Sequence, residues 1–163
     1  MNNFEEKYKK YIGLVYKICF TYTSSRDDAE DLVQDIFLKY YNCQRTFESD
    51  YHEKNWIART TINHCRDFLK SKWKKNVVIN NEMIERHKST DCFENEENEL
   101  VFKILSEMKE EFKTVLILYY YDNNKTKDIA LILKKSELTI KKRLAKAREI
   151  MREGLIKYGK TNN

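Results

Sequence analysis

The chain has 163 residues, of which 41% are hydrophobic and 35% charged, and its formal net charge is +5 at pH 7. It contains no proline and only three scattered glycines, so the residues that usually mark strands and turns are missing. This composition excludes a glycine-rich phosphate-binding loop and predicts an all-α protein of one or two small domains.

The charge is distributed unevenly along the chain. Residues 1–76 carry a net charge of +3, residues 77–99 carry −5, and residues 100–163 carry +7. The middle segment also lacks hydrophobic periodicity. We therefore predict two small helical domains, 1–76 and 100–163, joined by an acidic linker at 77–99. The basic last third favours a polyanion as its partner.

Hydrophobic periodicity predicts three amphipathic helices in the first domain. The first covers residues 4–22, and Ser25 can cap a second that runs to about residue 43. A loop at 44–52 precedes a third helix at about 53–75.

The second helix exposes a mainly acidic stripe of Glu30, Asp31, Gln34, Asp35 and Leu38. We call the last four of these residues the acidic strip. Such a surface would repel DNA and could dock a basic protein surface. An ordinary solvated helix face is the alternative interpretation.

The third helix exposes a second stripe of Trp56, Arg59, Asn63, Arg66, Lys70 and Trp73/Lys74. We call its first five residues the basic line. Aromatic rings beside cations suit single-stranded or distorted nucleic acid, because bases can stack on the rings while phosphates pair with the cations. A solvated face with an exposed tryptophan is again the alternative.

In the second domain we predict one long helix from about residue 99, a break at 122–125, and a helix-turn-helix at 126–151. Ile140, Leu144, Ala147 and Met151 would face the core. The N-terminal residues of the second helix normally reach base edges, and the cations behind them contact mainly phosphates. We therefore predict base contacts from Ser136, Glu137 and Thr139, and phosphate contacts from Lys141, Lys142, Arg143, Lys146 and Arg148. A basic helix that only faces solvent is the alternative.

The chain offers little that could carry catalysis. Its three histidines and four cysteines lack the close spacing of a zinc site. We predict no enzyme activity, no metal and no cofactor; a small metal- or thiol-dependent helical enzyme is the least favoured alternative. The polar N-terminus, the dispersed cysteines and the lack of an apolar run of ~18 residues predict a cytoplasmic protein without membrane insertion.

Three motifs in order resemble the sigma-70 family of bacterial sigma factors. Residues 28–38, Asp-Ala-Glu-Asp-Leu-Val-Gln-Asp-Ile-Phe-Leu, are similar to region 2.2. Trp56-Ile57 followed by Asn63 and Asp67 resembles regions 2.3–2.4. Residues 139–148, Thr-Ile-Lys-Lys-Arg-Leu-Ala-Lys-Ala-Arg, resemble the recognition helix of region 4. The presence of regions 2 and 4 alone is typical of the extracytoplasmic-function (ECF) class.

The resemblance implies a subunit that gives core RNA polymerase its promoter specificity. The acidic strip would dock on the clamp helices of the β′ subunit. The basic line and Phe47 would engage the −10 element and capture unstacked bases, while residues 136–148 would read the −35 element and their domain would rest on the β flap. An anti-sigma factor is a further candidate partner. The alternative function is a stand-alone helix-turn-helix regulator that binds duplex DNA without polymerase.

The sequence departs from the family pattern in and around the predicted helix-turn-helix. The usual glycine of the turn is replaced by Lys134-Lys135, so we expect Lys135 or a neighbour to adopt a left-handed or alternative turn conformation. Met108-Lys109 stands where Leu-Pro is usual. Lys146 replaces an arginine, which keeps the charge but removes a bidentate donor.

Overall fold

The computed structural model describes residues 3–76 and 96–159, with the side chains of 73–76 and 96–98 left out. The chain divides into two compact units, Met1–Ser89 and Thr90–Asn163. In the described ranges all regular secondary structure is helical, which confirms the predicted all-α class. Most of the predicted linker lies outside the described residues, and the domain boundaries stay predictions.

The first unit contains three described helices, α1 (Asn3–Thr23), α2 (Arg26–Asn42) and α3 (Asp50–Asn76), and each packs against the other two. They bury apolar side chains at the three-to-four spacing that the sequence shows. The largest fully buried side chains of this unit include Val15, Ile18, Ile36, Ile57 and Ile62.

The predicted cap of α2 is confirmed. The backbone N–H of Asp28 donates a hydrogen bond to Ser25 Oγ at 3.3 Å, which satisfies one of the free N–H groups of the first turn. Asp28 also forms an ion pair with Lys72 of α3 at 2.9 Å. The start of α2 is thereby tied to the third helix.

The second unit contains four described helices, α4 (Glu96–Glu107), α5 (Glu110–Tyr120), α6 (Thr126–Leu133) and α7 (Glu137–Gly159). The long helix α7 packs against the other three. Its buried residues are Ile140, Leu144 and Ala147, as the spacing predicted, whereas Met151 is only half-buried.

The prediction of one long helix at the start of this unit is wrong. The backbone of Lys109 is extended, with φ −59° and ψ 144°, and it separates α4 from α5. The break lets Met108 turn into the core, where 6% of its surface remains exposed. The first helix also begins at Glu96, inside the range predicted as linker.

The predicted left-handed residue is found at Lys134, with φ 55° and ψ 47°. The N–H of Lys135 then donates to the carbonyl of Ala130 at 3.0 Å, which closes the end of α6. A lysine thus holds the backbone conformation that a glycine adopts at lower cost. The following helix continues to Gly159, past the predicted end at 151.

Candidate nucleic-acid interface

The acidic strip lies on the face of α2 that points away from the core. Asp31, Gln34 and Asp35 are exposed, and 61% of the Leu38 surface is exposed. Within the described part of the chain none of the three polar side chains has a hydrogen bond or an ion pair. The neighbouring Glu30, by contrast, pairs with Arg26 at 3.1 Å. The strip is therefore free to bind another molecule.

The basic line follows one face of α3 because its members alternate three and four residues apart. Arg59, Asn63 and Lys70 are exposed, while Trp56 and Arg66 are half-buried. At about 1.5 Å per residue the line extends over roughly 21 Å. Its length and charge suit a strand of nucleic acid that runs along the helix.

The structure brings Phe47 and Trp56 together with Tyr40, and we call these three the aromatic cluster. The Phe47 and Trp56 ring centroids are 5.6 Å apart. The rings of Tyr40 and Phe47 are nearly parallel, with centroids 6.5 Å apart and planes inclined by 7°. Phe47 of the loop, Tyr40 of α2 and Trp56 of α3 therefore form an aromatic surface at the N-terminal end of the basic line.

A buried carboxylate holds this cluster in place. Glu53 is 5% exposed and accepts hydrogen bonds from Tyr40 Oη at 2.6 Å, Tyr11 Oη at 2.9 Å and Lys7 Nζ at 2.7 Å. Burial acts to raise the pKa of Glu53, but the hydrogen bonds from Lys7, Tyr40 and Tyr11 outweigh it, and the pKa lies below its ordinary value. The network joins all three helices of the unit.

The same network affects the two tyrosines. Burial, followed by the hydrogen bond to Glu53, raises the pKa of Tyr40 and of Tyr11. Both hydroxyl groups therefore stay protonated and act as donors at neutral pH. Sequence reasoning gave no signal for Glu53 or for its hydrogen bond from Tyr40, because the network depends on tertiary contacts.

On α7 the lysines lie on the side opposite the buried residues. Lys141, Lys142 and Lys146 are exposed. In the described residues Lys142 has no ion-pair partner, while Lys141 and Lys146 lie 3.5 Å from Glu137 and Glu149 in exposed pairs. Exposed pairs of this kind stabilise a protein little, so these lysines can turn to phosphates.

The three residues predicted to reach base edges are partly engaged within the unit. Ser136 caps α7, since its Oγ accepts from the Thr139 N–H at 3.1 Å and lies 2.8 Å from Thr139 Oγ1. Glu137 accepts a hydrogen bond from Thr126 of α6 at 3.0 Å. The hydrogen bond between Thr126 and Glu137 links the two helices of the helix-turn-helix.

The two arginines of the predicted phosphate contacts face α5. Arg143 lies 3.7 Å from Glu111. The Arg148 Nε donates to Tyr120 Oη at 3.1 Å, and the guanidinium carbon is 5.0 Å from the ring centre of Tyr119. The hydrogen bond to Tyr120 raises the pKa of Arg148. Their role in DNA binding stays a prediction.

The sequence and the fold of the chain have counterparts in known proteins. Residues 8–75 match the family model for Sigma-70 region 2, and residues 99–151 match that for Sigma-70, region 4. The chain is 31% identical over 150 residues to the RNA polymerase sigma factor SigV of Bacillus subtilis, a match that covers 87% of this chain and 84% of that protein. The chain belongs to the sigma-70 family.

Other relatives give its class. The sigma factor is 26% identical over 149 residues to the ECF RNA polymerase sigma factor SigM of Bacillus subtilis, covering 89% of this chain and 90% of that one. It shares its fold with the sigma factor RpoE of Bartonella quintana, which was solved in complex with the anti-sigma factor NepR. The TM-score is 0.70 and the sequence identity is 22%, and the match covers 95% of this chain and 98% of that one.

The chain is thus an ECF sigma factor that directs transcription initiation and is not an enzyme. Sigma factors bind core RNA polymerase, which supplies the chemistry. Among the described residues no helix is long and apolar enough to cross a membrane.

Proposed function

We propose that this sigma factor uses three separate surfaces during initiation. The acidic strip binds the β′ clamp of core polymerase, the basic line and the aromatic cluster bind the −10 element, and the N-terminal half of α7 binds the −35 element. The observation that carries the proposal is that the first two surfaces lie on adjacent helices of one unit and have opposite charge.

The acidic strip supports the polymerase contact. Its three polar side chains are exposed and make no hydrogen bond or ion pair in the described residues. An acidic strip would repel DNA, so we assign it to a basic protein surface. Leu38, 61% exposed at its end, adds apolar area to that contact.

The basic line and the aromatic cluster support capture of an unpaired strand. Taking a base out of the duplex costs a few kcal/mol, and stacking on an aromatic side chain returns about 1–3 kcal/mol per base. Asn63, exposed in the middle of the line, can hydrogen-bond the edge of such a base. Binding energy placed here favours the open duplex over the closed one.

The second unit supports contacts with both duplex DNA and polymerase. Lys141, Lys142 and Lys146 supply positive charge toward the −35 phosphates. The unit also has an apolar cavity of about 360 Å³, lined by residues that include Leu105, Leu116, Leu155 and the predicted phosphate contact Arg148. We assign the β flap to this cavity, because the fully buried centre of a protein interface is more apolar than the rest of a protein surface.

An anti-sigma factor is a further proposed partner. The solved relative with the same fold is bound to one. The exposed acidic strip is the surface that such a partner would have to cover in order to block polymerase binding. We place these events in the cytoplasm, where bacterial RNA polymerase works.

The direct test adds the full chain to bacterial core polymerase and a library of promoter fragments. We expect sequence-selective open complexes, detected by permanganate reactivity of unpaired thymines. If the chain does not associate with core polymerase, the proposal is wrong.

A charge reversal tests the acidic strip separately. The double variant Asp31→Lys, Asp35→Lys should lose core binding while the free chain keeps or increases its affinity for DNA. The control is Glu5→Lys, Glu6→Lys, which changes the net charge equally at exposed positions of α1. Core binding that survives the first change, or that is lost equally with the second, contradicts the assignment.

A further inference from the structure

Leu138 is the second residue of α7, and 63% of its surface is exposed. It stands two positions before the buried Ile140, so at 100° per residue it points almost directly away from the core. A large apolar side chain at this place contributes little to folding. The first turn of the second helix of a helix-turn-helix is the part that enters the major groove.

The polar neighbours of Leu138 in that turn are held by hydrogen bonds within the unit. Ser136 and Thr139 are hydrogen-bonded to each other, and Glu137 is held by Thr126. Leucine side chains on helices lean back toward the helix N-terminus, which here is the end that enters the groove.

We propose that Leu138 contacts the C5-methyl group of a thymine in the −35 element and so contributes to promoter specificity. Apolar contact with the thymine methyl is one of the ways in which proteins distinguish thymine in the major groove. The inference rests on the proposed −35 function of α7 and adds one base preference to it.

The charge around Leu138 favours DNA over an apolar protein as the occupant. The exposed Lys141 and Lys142 stand one turn behind it. Lys141 already lies 3.5 Å from Glu137, but an apolar protein surface would leave the ammonium group of Lys142 without a counter-charge. The major groove offers a methyl group on its floor and phosphates on both edges, which matches an apolar side chain followed by lysines.

The experiment first selects the preferred −35 sequence by binding the holoenzyme, formed from the full chain and core polymerase, to duplexes randomised upstream. Each thymine of the selected element is then replaced singly by deoxyuridine, which lacks only the C5-methyl group. We expect one replacement to weaken holoenzyme binding by about fourfold, the effect of removing one buried methyl group. No effect at any thymine would overturn the proposal.

The Leu138→Ala variant completes the test. Its holoenzyme should bind the thymine duplex about as weakly as the original binds the deoxyuridine duplex, and should no longer distinguish the two. The matched control is Leu131→Ala, which removes a leucine that is 72% exposed on α6 and should leave the deoxyuridine effect intact.

The possible outcomes distinguish the role of Leu138 from the −35 function of α7. A deoxyuridine effect that persists in Leu138→Ala, or that disappears equally in Leu131→Ala, contradicts the role of Leu138 and leaves the −35 function standing. A holoenzyme that selects no upstream sequence contradicts the −35 function itself, and the inference with it.

Discussion

At the scale of single residues, Glu53 links the three helices of the first unit through its hydrogen bonds. A buried carboxylate is costly unless it is paired and hydrogen-bonded. Here three donors from α1 and α2 meet it on α3. Because one of them is Tyr40, the same residue that stabilises the bundle also fixes the aromatic cluster.

Glu53→Gln should lower the free energy of unfolding of the first unit by about 1–3 kcal/mol, since a charged hydrogen-bond acceptor is replaced by a neutral one. The pKa of Glu53 lies below its ordinary value of 4.5. Its contribution is therefore fully present above that value and is lost as the pH falls through the lower pKa of the folded state. The free energy of unfolding of Glu53→Gln should therefore fall less on acidification than that of the original protein.

Tryptophan fluorescence during urea unfolding measures the stability of the first unit. The chain has two tryptophans, Trp56 and Trp73, and both precede the second unit. The free energy of unfolding should be compared at pH 7 and pH 3.5. Equal loss of stability on acidification in both proteins would contradict the role of Glu53. Glu48→Gln, at an exposed position in the same region, is the control.

Lys134 gives a second prediction at this scale. A left-handed conformation costs a residue with a Cβ about 1–2 kcal/mol, and glycine avoids this but adds entropy to the unfolded chain. We expect Lys134→Gly to stabilise the second unit by roughly 0.5–1 kcal/mol. Native-state hydrogen exchange of the Ile129 and Ile140 amides measures this gain in stability. Lys135→Gly, at a residue without positive φ, should give no gain.

At the scale of elements, the features that the sequence predicted correctly are those that follow from local hydrophobic periodicity. The buried faces of α2 and α7 follow from apolar spacing, and so do the exposed acidic strip and the basic line on their helices. The break before α5 was not predicted, because Lys109 is not a helix breaker and the local sequence gives no other sign of a break there. The engagement of Ser136 and Arg148 was missed for a related reason, since their hydrogen-bond partners depend on the cap and on α5.

The packing of α4 on α7 gives an element-scale prediction. A Cβ atom at Gly154 would lie 2.8 Å from Ile104 Cγ1 and 2.9 Å from its Cδ1, and Ile104 is only 3% exposed. Overpacking of a core costs about 1–3 kcal/mol, against about 1 kcal/mol gained when alanine replaces glycine in a helix. Gly154→Ala should therefore destabilise the second unit by about 1 kcal/mol.

The effect of Gly154→Ala on stability should change from destabilising to stabilising when the Ile104 side chain is shortened. In an Ile104→Ala background, Gly154→Ala should stabilise the unit by about 0.5–1 kcal/mol, because only the helix propensity remains. Hydrogen exchange of the buried Ile117 amide in the four proteins of this cycle gives the coupling. Effects that simply add would mean that α4 can shift to make room.

At the scale of the whole molecule, charge is separated along the chain, with net +3 in residues 1–76, −5 in 77–99 and +7 in 100–163. Net charge alone accelerates association with DNA but does not place the protein on it. Placement requires that particular cations neutralise particular phosphates. The salt dependence of binding distinguishes the two, because each neutralised phosphate changes the slope of log K against log salt by about 0.9.

Lys142→Ala should therefore reduce the magnitude of this slope by about one for holoenzyme binding to a promoter duplex, measured between 50 and 200 mM salt. The control is Lys157→Ala, which changes the net charge equally near the end of α7, about 22 Å along the helix. Its slope should stay near that of the original protein. Equal changes in both variants would mean that the second unit attracts DNA only through its net charge, and that Lys142 touches no phosphate.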